Sequence, residues 1–231
     1  MQLFYQPELP KGVYFLSREE SLHCVKVLRK KVDDLIHITD GKGSLYFCKI
    51  LVASAKECEF EVISIKKEKG KNYSVHIGIA PTKNIDRLEW FVEKATEIGI
   101  DEISLIKTIN SERTVVKTER LKKKAISAMK QSLKFSLPLI NEIVDFRHIL
   151  NTEAENRCIA YVDNASATNL SEHISSSTNM VLIGPEGDFD DEEIKLAKSK
   201  GWSPVNLGPS RLRTETAGLV ACHLIHIFNQ N

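Results

Sequence analysis

No apolar run in the sequence approaches the roughly 20 residues a helix needs to cross a bilayer, which excludes a helical membrane protein. Net charge is nearly absent: 32 Lys plus Arg stand against 31 Asp plus Glu. The totals therefore say nothing about a nucleic-acid partner, and only local clustering can. Cysteine is scarce, five residues with no C-x-x-C pair. An odd, scattered set fits reduced thiols and a cytoplasmic protein rather than a disulfide framework. The opening Met1-Gln2-Leu3-Phe4-Tyr5-Gln6-Pro7 lacks the basic-then-apolar plan of a secretory signal. There is no internal repeat and no low-complexity tract. Gly41-Lys42-Gly43-Ser44 lacks the full spacing of a phosphate loop and reads as a hairpin turn. His223 and His226 lie three apart on an apolar helical pattern with no third ligand in view, so no metal site is expected.

What is present is ordinary globular composition, 42% apolar and 27% charged over 231 residues, enough for one large domain or two modest ones. The first part reads as β-rich. Leu3, Tyr5, Val13 and Phe15 are strand positions around a Pro7–Pro10 turn. Ser17 to Glu20 fits a capping box, and the helix it starts carries Leu22, Val25 and Leu28 on one face. That helix ends in Arg29-Lys30-Lys31. β-like runs follow at 35–39, 45–52 and 58–65, with Asp40-Gly41 and Gly43 marking a turn. A small β-rich barrel with one helix is expected to about residue 67, and the charged stretch 66–71 is a linker. The expected domains are therefore 1–70 and 71–231.

From Tyr73 strands and helices alternate. Strands are expected at 75–79, 103–106, 140–144, 158–162, 180–183 and 205–207. Helices are expected from Asp86 to Gly99, over 117–135, at 146–150 and 170–174, from Asp190 to Gly201, and from Thr214 or Glu215 to about Phe228. About six strands with intervening helices predict a parallel sheet covered on both faces. No G-x-G-x-x-G follows the first of these strands, which counts against a nicotinamide-type enzyme.

Two late stretches organise this part: Val181-Leu182-Ile183-Gly184-Pro185-Glu186-Gly187-Asp188-Phe189, and Val205 to Gly208 followed by Pro209-Ser210-Arg211-Leu212-Arg213-Thr214-Glu215-Thr216-Ala217-Gly218. In each, a buried-strand run breaks at Gly-Pro before a helix. Two neighbouring strand ends thus place bare backbone around one crevice at the carboxyl edge of the sheet. Asp190 to Glu193 read as helix caps, whereas Glu186 precedes the helix and is not explained that way. So many acids argue against a phosphate site but not against a cationic cofactor.

GPEG with an acidic helix start, and LG-x-x-x-LRTETA, resemble the cofactor loops of the bacterial ribosomal RNA uridine N3-methyltransferases of the knotted SPOUT class. The resemblance extends to Glu93-Lys94-Ala95-Thr96-Glu97-Ile98-Gly99 and to His23-Cys24-Val25-Lys26-Val27-Leu28-Arg29. It implies a trefoil-knotted α/β methyltransferase domain behind a PUA-like RNA-binding module. It implies S-adenosylmethionine as cofactor, held by Ile183, Gly184, Pro185, Glu186, Gly187, Leu207, Gly208, Leu212, Arg213 and Thr214. It further implies a homodimer acting on a uridine of 16S ribosomal RNA, assembled small (30S) subunits being the expected substrate. The chain departs from the family pattern at Asp188, where a second Gly is usual, and at Lys130, where an acid is usual.

Transfer of a methyl group to uracil N3 requires alignment, removal of the N3 proton, and stabilisation of charge on the ring oxygens. Arg213 or Arg211 can supply the stabilisation, and Glu215 is the candidate base. For RNA, the local excess of cations from Arg113 to Lys134, the patch Arg29-Lys30-Lys31, and Arg211 are the candidate contacts. A solvated helix face is the competing reading of the first. A silent RNA-binding module that kept the fold is the competing class for the whole chain.

Overall fold

The computed structural model describes residues 1–161 and 167–229. The chain divides into two compact units, one of residues 1–70 with 126–137, the other of residues 71–125 with 138–231.

The first unit is a four-stranded sheet in the order β1 (Leu3–Tyr5), β2 (Leu35–Thr39), β3 (Ser44–Val52), β4 (Glu59–Lys67). β1 runs parallel to β2, and the other pairs are antiparallel. Its core joins Phe4, Leu16, Ile38, Cys48, Ile50 and Phe60. β4 runs on through Lys66 and Lys67, so the joining segment is shorter than its charge pattern implies. The helix α1 (Arg18–Leu22) starts as expected, with the Ser17 hydroxyl accepting from Glu20 N–H at 3.3 Å. The return half of the capping box is not made, because the Glu20 carboxylate bonds the Lys130 ammonium instead. The apolar face also differs from expectation. α1 passes into a π-helical turn, His23–Val27. The wider turn shifts the buried stripe to Ser21 and Cys24 and leaves Leu22 52% exposed. Residues 126–137 are tied to this unit through backbone bonds Gly43 N–H to Phe135 O (2.9 Å) and Leu137 N–H to Gly41 O (2.8 Å).

The second unit is a seven-stranded sheet, parallel throughout. Its strands are β5 (Ser74–Ile79), β6 (Glu102–Lys107), β7 (Leu139–Asp145), β8 (Asn156–Ala160), β9 (Thr168–Asn169), β10 (Thr178–Ile183) and β11 (Ser203–Asn206), in the order β7-β6-β5-β10-β8-β11-β9. β9, two residues long, carries no pattern that sequence reading could find. Of the strand expected at 158–162, Val162 lies outside the described residues. The helices are α2 (Ile85–Ile98), α3 (Thr118–Gln131), α4 (Phe146–Ile149), α5 (Asp191–Ser199) and α6 (Thr214–Phe228). α2 is capped by Asn84 rather than Asp86, its side chain accepting from Asp86 N–H at 3.0 Å. β10 and β11 are not adjacent, as the paired motifs had implied, because β8 lies between them. Register aligns their carboxyl ends all the same: Ile183 pairs with Ile79 and Ala160, and Ala160 with Val205.

Candidate active site

At that carboxyl edge lies a cavity of about 760 Å³. Of the residues predicted to hold a cofactor, all but Gly187 line it, and so does Arg211. Gly184 and Gly208 therefore face one hollow, although a strand separates the strands that deliver them. The end of β8 contributes Ala160 and Tyr161, and α2 contributes Arg87. Sequence reading missed these: the β8 run lacks a Gly-Pro break, and Arg87 looks like any surface cation of a helix.

The 184–189 loop folds tightly back on itself. A Cβ on Gly184 would sit 3.1 Å from Phe189 Cδ2 and 3.2 Å from Phe189 N, so only Gly fits without displacing the loop. Glu186, unexplained as a cap, has a structural task. Its Oε1 accepts the backbone N–H of Lys83 at 3.0 Å, which ties the loop after β10 to the loop after β5. Asn110 Nδ2 donates to Asp188 O at 3.1 Å. Glu193 closes the α5 capping box on Asp190 N–H and also accepts Ile109 N–H, each at 3.0 Å. Burial pushes its carboxyl above the ordinary carboxylate value. Three strand-end loops are thus bolted together beneath the cavity.

On the other wall, Gly208 has φ 119, a conformation side-chain-bearing residues rarely adopt. α6 begins at the cavity with Arg213 as N-cap and no side-chain cap, so the Thr214 hydroxyl does not cap the helix. The uncapped amides and the helix dipole favour a negative group there. Glu215, one residue in, is 7% exposed. It lines a second, adjoining cavity with Arg213 instead of the first.

The RNA candidates do not gather at this site, Arg211 apart. Arg113 donates to Thr82 O (3.1 Å) and Lys83 O (2.7 Å), so its guanidinium braces the loop after β5. Much of the basic stretch on α3 is neutralised. Arg120 pairs with Glu89 and Asp86, Lys124 with Glu93, Lys122 with Glu119, and Lys130 with Glu20. Arg29 and Lys31 are exposed in the first unit, and Lys30 is half-buried with its ammonium on Leu35 O. His223 and His226 diverge, His223 exposed and His226 buried against the Tyr73 hydroxyl at 2.8 Å. Among the described residues no group of three or more His, Cys, Asp or Glu could hold a metal, and no helix is long and apolar enough to cross a membrane.

Residues 69–226 match the family model described as RNA methyltransferase domain, and residues 16–63 match that described as RNA methyltransferase PUA domain. Ribosomal RNA small subunit methyltransferase E of Buchnera aphidicola is 30% identical over 221 residues, spanning 90% of this chain and 85% of that protein. The chain belongs to this RNA methyltransferase family. Several solved structures share its whole fold, two of them as follows. One is a probable rRNA-methyltransferase from Porphyromonas gingivalis, 42% identical with a TM-score of 0.93, covering 99% of this chain and 98% of that one. The other is a ribosomal RNA small subunit methyltransferase E from Neisseria gonorrhoeae bound to S-adenosyl methionine, 26% identical with a TM-score of 0.82, covering 98% and 97%.

Both departures of this methyltransferase from the family pattern have local explanations. Asp188 has φ 63, a left-handed position that a Gly would occupy without strain. Its Oδ1 accepts the next backbone N–H, Phe189, at 2.8 Å, the local bond that lets Asp tolerate such a φ. Lys130 is matched by Glu20, so the ammonium sits on a carboxylate of its own unit.

Proposed function

We propose that this protein is an S-adenosylmethionine-dependent methyltransferase that methylates N3 of a uridine in 16S ribosomal RNA within the small subunit. The observation that carries the reading is the cavity at the carboxyl edge of the sheet, walled by both Gly-Pro loops and the uncapped start of α6. Its size lies in the range of small-molecule sites. Its charges suit a zwitterionic cofactor: Arg87, Arg211, Arg213 and the α6 amides favour a carboxylate, and Glu186 and Asp188 favour a positive centre. When bound, the cofactor supplies a methyl carbon on cationic sulfur, already activated for transfer.

The chain's own tasks follow from that chemistry. Ile183, Gly184, Pro185 and Glu186 form one wall, and Leu207, Gly208, Leu212 and Thr214 the other, with apolar side chains for a flat ring and backbone groups for its polar edge. Gly187 holds the first loop's turn without reaching the cavity. Arg213 or Arg211 stabilises charge on the acceptor, and Glu215 takes the N3 proton. Residues 1–70 serve as the RNA-binding module, with Arg29, Lys30 and Lys31 on phosphate, and residues 71–231 as the methyltransferase domain. A trefoil knot is part of this proposal, supported by the seating of β11 between β8 and β9, which precede it in the chain. So are a homodimer and a cytoplasmic location.

Purified protein incubated with S-adenosylmethionine and undermethylated 30S subunits, followed by nucleoside analysis, tests the reading. 3-Methyluridine at a single 16S position is expected. Cofactor binding without any methylated nucleoside would favour a silent RNA-binding module instead.

A further inference from the structure

Beside the main cavity lies a second of about 400 Å³, lined by Asp86, Arg87, Trp90, Arg213, Glu215 and Thr216. Arg87 and Arg213 line both, so the two hollows meet at a pair of guanidinium groups. Glu215 lines the second cavity, and its side chain is 9% exposed. Its Oε2 is buried without a hydrogen-bond partner. Its Oε1 is 3.8 Å from Arg87 Nε, beyond hydrogen-bonding distance. The other acid on this cavity, Asp86, is exposed and engaged by Arg120 at 3.4 Å. A buried carboxylate left short of donors is costly unless a ligand completes it. What Oε2 lacks is a hydrogen-bond donor.

We infer that the second cavity is the nucleobase subsite, and that Arg87, Glu215 and Arg213 read uracil by its edge. This rests on the methyltransferase reading above and assigns the acceptor half of the same site. The three side chains put two donors and one acceptor on the lining of one cavity, Arg87 and Glu215 3.8 Å apart. The uracil edge offers acceptor, donor, acceptor: O2, N3–H and O4. A flipped base is commonly read along this edge. Cytosine presents acceptor, acceptor, donor, which sets a lone pair against Glu215 and an amino group against a guanidinium. Recognition and reaction then share the same atoms. Glu215 accepts the N3 proton while the N–H electron pair stays on the ring, and charge spreads to O2 and O4, which face the two guanidinium groups. N3 then bonds the methyl carbon as the carbon–sulfur pair returns to sulfur, leaving a neutral thioether. The proton on Glu215 passes to solvent.

The test compares wild type, Glu215→Gln and Arg87→Gln on 30S subunits carrying uridine or, by reconstitution with synthetic RNA, cytidine at the target position. Nucleoside analysis of the wild-type product reports on the functional reading: a product other than 3-methyluridine overturns it and this proposal together. With 3-methyluridine as product, Glu215→Gln is expected to lower single-turnover rate by about 10²-fold or more. Its cofactor Kd should stay within about threefold, because Glu215 does not line the main cavity. A rate near wild type in a variant that binds cofactor overturns the proposal alone. If Glu215→Gln fails to fold, Arg87→Gln decides. Reduced preference for uridine-containing over cytidine-containing subunits supports the edge reading, and unchanged preference refutes it.

Discussion

Replacing Gly208 with Ala probes the cofactor wall most directly. Gly208 has φ 119, and nothing lies within 4 Å of where its Cβ would be. A clash is therefore ruled out, and the whole effect is backbone strain. Holding Ala in that conformation costs about 1–3 kcal/mol. Lower entropy of the unfolded chain returns about 0.4–1 kcal/mol of this in global stability. The 207–213 stretch has no regular structure, so the free loop relaxes and must be strained again when ligand binds. The S-adenosylmethionine Kd should then rise about 5- to 150-fold, with only a small drop in melting temperature. Gly12→Ala is the control. Gly12 has φ 92 and equally open surroundings, but it belongs to the first unit. It should destabilise comparably and leave Kd unchanged. Titration calorimetry and thermal melting separate the outcomes. A Gly208→Ala Kd within twofold of wild type, or an equal loss in Gly12→Ala, would show that this loop does not shape the cofactor site.

Lys130→Met strips the buried Glu20 carboxylate of its ammonium. With the Lys130 side chain 25% exposed, the loss is discounted to about 2 kcal/mol, and hydrogen exchange across residues 18–22 should speed up; Glu20→Gln in the same chain should recover part of it. Burial holds the His76 imidazole below its ordinary 6.5, against the opposing pull of Glu102. The unfolded chain therefore binds more protons between the depressed value and 6.5, so stability rises with pH through that window and is complete above it. Denaturant titrations from acid to neutral pH should show that slope in wild type and lose it in His76→Gln. Arg113→Ala should loosen the loop after β5 and weaken cofactor binding, while the salt dependence of RNA binding stays the same. Lys31→Ala should lower the slope of log K against log salt by about 0.7–0.9, and an equal effect of both would place Arg113 on phosphate after all.

Reading by residue pattern succeeded where local chemistry decides. The α5 cap at Asp190, the stop of α2 at Gly99 and the extent of β2 follow from capping residues and alternation, which depend on near neighbours in the chain. It failed where a distant partner overrode a local rule. Glu20 left its capping box for Lys130, 110 residues away. The basic run on α3 read equally as a phosphate-binding or a solvated face, and the pairing of Arg120 and Lys124 with acids of α2 lay outside any local pattern.

The sequence by itself determined that two apolar runs end in Gly-Pro turns before helices, because glycine and proline restrict the backbone wherever they stand. It could not determine that β8 would lie between those runs, or that Ala160, Tyr161 and Arg87 would join the cavity wall. Strand order in a parallel sheet is set by long crossovers and shared burial, and no single strand carries that information. The position of Glu215 is likewise tertiary. A Glu in the first turn of a helix is ordinarily solvated, and packing of α6 against α2 and β5 made this one a buried acceptor beside two arginines.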